Sequence, residues 1–518
     1  MTRRYQSKII WPGLTAMLAL TVAMEGHAQN HVASELPRED AGSVLYEDMD
    51  GDGLSDVIVP AWSQEAGREL LVYLQQSDGR FPSQPSRRVE IKPEIIAVGL
   101  ADLRPEPGKE VLLFTSSAVF SLSSTISSYT GNLRPLFDWE FAATVPDRRR
   151  VLVLPDINDM DGDGYADLML PGRSEHGFFR GGPDEAFTLA HHFNPLNPDL
   201  SPSELPLGET GLDTRFALNA REGIVLQVRA ETTSAFADLL GSLDEGRPEA
   251  LLEIDQWLPA PLRADMDGDG RDDLVYLNIG TDLHGQLNIL LQRDAGFGSE
   301  PDWQGSVDVR GDLRLFDVDG DGRADLVRIV DNSNEWNVQL YLNREGRFDF
   351  TRADQVLRFS GYDLTLTAAD LNGDGRHELS VSYYTIPVVS AVRNASIVRS
   401  QLLFAPASAN SGQVFSARPD YRLDETFSAA EVRGLGAQIH LAADLDGDGR
   451  NDAIQLADDG TLIARAIDSD LQIAEQPFWR YVPQRSILNF VVRDMNGDDT
   501  PDLVLFHSTH MTVLVSRQ

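Results

Sequence analysis

The sequence predicts an all-β chain folded as a single β-propeller of seven or eight four-stranded blades. Three observations predict it: an acidic nonapeptide that recurs along the chain, short β-rich runs on both sides of each copy, and a spacing near 50 residues between copies.

The nonapeptide first appears as DMDGDGLSD from Asp48 to Asp56. Carboxylates this close raise one another's pKa unless a positive charge sits among them. A loop with acids at positions 1, 3 and 5, a glycine at 6, a carbonyl at 7 and an acid at 9 offers the oxygen-only set that calcium takes. In this copy the ligating positions are Asp48, Asp50, Asp52, the carbonyl of Leu54, and Asp56. The motif returns six times. The second copy offers Asp159, Asp161, Asp163, Tyr165 and Asp167, and the third Asp265, Asp267, Asp269, Arg271 and Asp273. Asp317, Asp319, Asp321, Arg323 and Asp325 form the fourth, and Asp370, Asn372, Asp374, Arg376 and Glu378 the fifth. Asp444, Asp446, Asp448, Arg450 and Asp452 make the sixth, and Asp494, Asn496, Asp498, Thr500 and Asp502 the seventh. In every copy the residue at position 7 contributes its backbone carbonyl. About seven structural calcium ions follow as the expected cofactor.

These loops are not EF-hands, which require a bidentate Glu at position 12 and flanking amphipathic helices. Position 12 is Val59, Leu170, Tyr276, Arg328, Val381, Gln455 or Leu505. Runs such as VIV, LVYL and LVLF follow the loops, and SVLY, LRLF and LTLT precede them. Each loop is therefore expected to be a turn between two strands.

Copies beginning at 265, 317 and 370 lie 52 and 53 residues apart, room for four short strands and their turns. A stretch ADLRPEPGKEVLLF keeps the pattern's ends, with Asp102 at position 1 and Glu110 at position 9, but places Arg104 at position 3. Its guanidinium is expected to stand in for the cation by pairing with nearby carboxylates. Counting this blade supports eight units. Residues 172–262 break the rhythm and read as an elaborated region, holding either a degenerate blade or an insertion. A long loop is expected around ASANSGQ, residues 407–413. Phe81, Phe297 and Phe348, each in a turn-then-Phe marker, are expected to pack in the core. After Asp502 too little chain remains for a whole blade, so an outer strand from residues 30–42 is expected to close the ring.

Residues 1–28 read as a signal peptide, with RRYQSK ahead of an apolar stretch and a small-residue site ending at Ala28. The mature chain, 29–518, is thus expected to be secreted or periplasmic. The apolar stretch is short for a membrane span and contains Pro12 and Gly13, so no membrane insertion of the mature chain is expected. The chain carries 81 acidic against 44 basic residues, a formal charge of -37, which disfavours nucleic acid as a partner. The absence of cysteine excludes disulfides and thiolate metal sites.

The D-x-[DN]-G-D-G-x-x-[DE] loops, from about Asp48 to Asp502, resemble those of the FG-GAP and VCBS repeat family, whose blades build propellers like the head of integrin α subunits. The resemblance implies calcium in the loop between the first two strands of a blade. The literal Phe-Gly pair stands clearly only at Phe297 and Gly298.

No catalytic constellation is legible. The histidines are dispersed, with His191 beside His192 and His507 near His510, and none has zinc spacing. No G-x-S-x-G stretch occurs. The RGD at Arg310–Asp312 enters a strand-forming run and reads as chance. Two functions remain: a binding module for a protein or glycan, and a polysaccharide-active lyase or hydrolase with its site near 172–262. The first is preferred, because structure accounts for every strong motif.

Overall fold

The computed structural model describes residues 31–38, 44–127, 129, 132–141, 148–154, 157–172, 175–193, 225–226, 256–257, 262–279, 284–293, 296–308, 311–332, 335–385, 396–408, 411–428, 439–441, 443–457 and 459–517. Residues 1–28, read from the sequence as a signal peptide, Arg310 of the RGD, and nearly all of 194–261 lie outside them.

Eight antiparallel sheets make eight blades. Blade one is Leu45–Glu47, Asp56–Ser63, Gly67–Tyr73 and Arg87–Ile91; blade two is Ala97–Ala101, Glu110–Phe114, Ala118–Leu122 and Leu133–Asp138. Blade three is Ile157–Asn158, Asp167–Pro171, His176–Gly182 and Ala186–Phe193, so residues 176–193 of the irregular region complete a blade. Blade four is Leu262–Ala264, Asp273–Ile279, His284–Leu290 and Trp303–Asp308; blade five is Asp312–Phe316, Asp325–Asn332, Glu335–Tyr341 and Gln355–Ser360. Blade six is Tyr362–Ala369, Glu378–Thr385, Ser396–Phe404 and Tyr421–Ser428, with residues 407–413 in the connection before its last strand. Blade seven has Asp452–Leu456, Leu462–Ala466 and Trp479–Tyr481, and His440 bridges Ile454 where its inner strand belongs.

Blade eight is shared between the two ends of the chain. Asn489–Arg493, Asp502–Phe506 and His510–Ser516 supply three strands, and His31–Pro37 supplies the fourth. Pairing runs from His31 opposite Ser516 to Pro37 opposite His510. The expected closure by a strand from residues 30–42 is therefore present, at His31–Pro37.

The patterning follows from where each strand sits. Second strands are buried over most of their length, and throughout in Glu110–Phe114 and Asp167–Pro171, so they read as nearly unbroken apolar runs. Outer strands alternate, as in Gln355–Ser360 and His31–Pro37, because one face meets water. Apolar clusters fill the seams between adjacent blades. Phe81 and Phe348 are buried in two of these clusters, and Phe297 packs edge-on against Phe178 at 5.1 Å, as expected for core residues. Among the described residues no helix is long and apolar enough to cross a membrane.

Leu36 joins the N-terminal strand to the seam between blades eight and one, where it is fully buried beside Val57, Met511 and Val513. Leu36→Ala is expected to destabilise the chain by about 3 kcal/mol, the usual scale for emptying a packed leucine site. Denaturant unfolding of residues 29–518 measures it.

Candidate metal centres

Each motif loop joins the first and second strands of its blade, and the acid at position 9 is the first residue of that second strand. The position-9 side chains are buried: Asp56, Asp167, Asp273, Glu378 and Asp502 show no exposed surface, and Asp325 and Asp452 show 2%. Main-chain donors compensate. One oxygen of each accepts from the N–H at position 2, as Asp56 does from Met49 at 2.8 Å and Asp502 from Met495 at 2.7 Å. In five blades the second oxygen accepts from the N–H that follows the third strand or ends it: Gln75, Gly181, Gln292, Asn343 and Ser516, at 2.6–2.8 Å. Position 2 is itself an apolar anchor, with Met49, Met266 and Val318 fully buried. This anchoring was not read from the sequence, although the recurring Asp-Met or Asp-Leu step was its signal.

The acid at position 1 shapes the turn. Asp48 accepts from Gly51 at 2.6 Å through one oxygen and from Gly53 at 2.8 Å through the other, and Asp159, Asp265, Asp317, Asp370 and Asp444 repeat the pattern. Asp494 does the same, but through Gly497 and Asp499. Position 6 needs a left-handed backbone: Gly53 sits at φ 86°, and Asp499, the one non-glycine at this position, at φ 61°.

Positions 1, 3 and 9 converge. Ligand oxygens of Asp48, Asp50 and Asp56 lie within 4.8 Å of one another, as do those of Asp159, Asp161 and Asp167, of Asp317, Asp319 and Asp325, and of Asp444, Asp446 and Asp452. In the loop at 265 the converging set is Asp265, Asp267 and Asp269. Asn372 and Asn496 make position 3 a neutral amide in the two remaining loops. Position 5 mainly fixes the turn, its carboxylate accepting from the N–H at position 7: Asp52 from Leu54, Asp163 from Tyr165, Asp321 from Arg323, Asp374 from Arg376, Asp448 from Arg450 and Asp498 from Thr500, at 2.9–3.0 Å. The position-7 arginines also turn their guanidinium groups onto the position-5 carboxylate, as Arg271 does to Asp269 at 2.9 Å and Arg376 to Asp374 at 3.0 Å.

The donor set fits a hard divalent cation. It consists of oxygens alone, and buried oxygens lack partners at Asp50 Oδ1 and Glu378 Oε1. Burial, then the neighbouring acids, push Asp50, Asp319 and Asp446 above the usual carboxylate range. Burial raises Asp56, Asp273, Asp325, Glu378 and Asp452 to about 7, and Asp167 and Asp502 to about 6, against the pull of their main-chain donors.

Neighbouring loops touch. The N–H at position 8 donates to the loop of the preceding blade: Ser55 to Met495 O at 2.8 Å, Lys109 to Asp48 O at 3.2 Å, Ala324 to Asp265 O at 2.8 Å and Asn451 to Leu371 O at 3.2 Å. The approach is close enough that a Cβ on Gly51 would lie 2.6 Å from Pro107 Cβ.

The second blade places Arg104 at position 3, and its side chain is buried. Its guanidinium lies 3.4 Å from Glu106 at position 5 and 3.2 Å from Glu185, and donates to Ser121 Oγ at 2.7 Å. The expected pairing occurs, with its nearer carboxylate supplied by blade three. Glu185 also pairs with Arg134.

The other singled-out residues that the structure describes make local contacts. His507 is buried between Ser486 O at 3.0 Å and Thr512 Oγ1 at 2.9 Å. Asp312 of the RGD accepts from Arg314 Nε at 2.7 Å. Within 172–262, His176 is buried and lowered to about 4 by that burial, and His192 meets Glu175 at 2.9 Å on the surface.

An acid raised by folding holds a proton that the unfolded chain has released, so stability falls between the two pKa values. For the metal-free chain, the melting temperature is therefore expected to fall as pH rises from about 4, the unfolded carboxylate value, towards 7, the folded value at Asp56. Calorimetric melting of metal-depleted protein across that range checks it.

Residues 317–381, from the loop of blade five to the second strand of blade six, match the family model of the FG-GAP-like repeat. No curated protein matches the chain. Among solved structures, the WD40 domain of SCAP from fission yeast aligns with 8% identity over 95% of this chain and 99% of its own, with a TM-score of 0.39. The exotype rhamnogalacturonan lyase YesX aligns at 12% identity over 94% of this chain and 72% of its own, TM-score 0.36. The periplasmic gluconolactonase PpgL of Pseudomonas aeruginosa aligns at 13% identity over 82% and 95%, TM-score 0.29. The chain is an eight-bladed β-propeller that carries an FG-GAP-like repeat at residues 317–381.

Proposed function

We propose that this protein is a secreted or periplasmic, calcium-stabilised propeller that acts as a binding module for a protein or glycan. The observation that carries the reading is a division of labour between the two faces of the ring. In a four-stranded antiparallel blade, the connections between strands one and two and between three and four emerge on one face. Those between two and three, and from one blade to the next, emerge on the other. All the acidic loops belong to the first face. The connections that vary most belong to the second: residues 194–261 join blades three and four and 386–395 interrupt blade six, against 309–311 between blades four and five. A scaffold that repeats its clamps on one face and varies its connections on the other is suited to presenting the varied face to a partner.

Calcium is the cation proposed, held by the acids at positions 1, 3, 5 and 9 and the carbonyl at 7. Its contribution is charge neutralisation and fixed turn geometry. A cation bound only by the folded state stabilises it by about 2.7 kcal/mol per site when present at about a hundred times its dissociation constant.

Two measurements test the reading. Melting of the mature chain, Gln29 onward, is expected to drop sharply when chelator replaces calcium, and an unchanged curve would exclude the calcium clamp. A panel of immobilised polysaccharides and extracellular proteins is then expected to yield retention without turnover. Release of shortened or unsaturated sugars from a retained polymer would favour a lyase or hydrolase instead.

A further inference from the structure

The loop of blade three has a feature that sets it apart from its six acidic counterparts. Arg180 lies on the third strand, His176–Gly182, and its guanidinium contacts the carboxylates of both Asp161, at position 3, and Asp163, at position 5, the latter at 3.2 Å. Strand register shows how it arrives. Leu168 pairs with Phe179, so the next step sets Arg180 opposite Asp167, the position-9 acid. Continuing the register in the same way, the residue opposite the position-9 acid is Leu74, Leu291, Leu342 and Val515 in blades one, four, five and eight, and Ala405 in blade six. In blade seven Asp452 pairs directly with Ala466, and in blade two Glu110 faces Ser123. Seven blades place an uncharged residue at this point, and blade three places a guanidinium.

The contact differs in kind from those of the position-7 arginines. Arg271, Arg323, Arg376 and Arg450 pair with the position-5 carboxylates Asp269, Asp321, Asp374 and Asp448 of their own loops. Among the described residues, only Arg180 is in ion-pair contact with a position-3 acid, a member of the converging set Asp159, Asp161 and Asp167. The Asp161 side chain is 6% exposed, while that of Arg180 is 36% exposed, so a sheltered carboxylate meets a half-buried guanidinium. Burial raises the pKa of Asp161 and the Arg180 charge opposes that rise, which is the electrostatic task a bound cation performs in the other loops.

We propose that Arg180 is a built-in cation that closes the loop of blade three without calcium. This rests on the calcium reading of the remaining loops. Blades two and three then form a continuous arc held by guanidinium groups, Arg104 in one and Arg180 in the other, joined across their seam by Glu185. Six loops are left to take calcium, those beginning at Asp48, Asp265, Asp317, Asp370, Asp444 and Asp494.

Titration calorimetry of the metal-depleted mature chain with calcium chloride, supported by metal analysis after gel filtration, tests this through changes in stoichiometry. Arg180→Leu restores the residue found in blades one, four and five and is expected to add one calcium site. Asp159→Asn, made in the presence of Arg180, is expected to leave the stoichiometry unchanged, whereas Asp265→Asn is expected to remove one site. Loss of a site in the Asp159→Asn protein, or no gain in the Arg180→Leu protein, would overturn the assignment. A wild-type chain that binds no calcium would overturn the calcium reading itself, and that result is distinct because Asp265→Asn would then change nothing.

Discussion

The acid that opens the second strand of each blade is withdrawn from water, and its blade organises around that withdrawal. Asp56 is linked to Met49 on one side and to Gln75 on the other, so a single carboxylate fixes the loop, the second strand and the exit of the third strand together. A buried carboxylate with fewer partners would be a heavy penalty. With two main-chain donors, the same group becomes a three-way junction. Met49 is drawn inward by the same link and fills the seam towards blade two, which couples the polar junction to apolar packing.

Because several of these junctions touch the next, the clamps are not independent. Lys109 donates to the carbonyl of Asp48, and Ser55 to that of Met495, so the geometry of one loop is felt by its neighbour around the ring. Charge adds to this. The loops gather acid on one face of a chain whose formal charge is -37, and mutual repulsion would spread that face unless cations or guanidinium groups were distributed round it. The Arg104 and Arg180 arc and the acidic arc are two answers to one electrostatic problem.

Much of this was legible in the chain because the motif is local. A loop whose ligands sit at fixed offsets, followed at once by runs such as LVYL, shows both its chemistry and its strand direction within a short window. Closure by residues 31–37 was legible for a different reason: the chain runs out of residues after Asp502 while one edge still needs a partner. What escaped was whatever depends on register between strands. Arg180 stands in FFRGG with no sign that it faces Asp167, and Glu185 gives no hint that it reaches Arg104 in the preceding blade. Only the inner half of blade three was legible, through its loop at Asp159–Asp167; its outer strands, His176–Gly182 and Ala186–Phe193, fall in the stretch read as an elaborated region and carry no Phe-Gly marker.

The shared eighth blade has a mechanical consequence. His31 lies opposite Ser516 in an antiparallel pair, so the two ends of the folded ring leave from the same edge of one sheet. A force that draws those ends apart loads the hydrogen bonds one pair at a time, as a zip is opened, rather than all together in shear. Thermodynamically the long closure is mild, since loop entropy grows only logarithmically and a tenfold longer loop adds about 2 kcal/mol. Closure of the ring is thus cheap in entropy yet weak under tension, and a pull on either end would open it at this seam first.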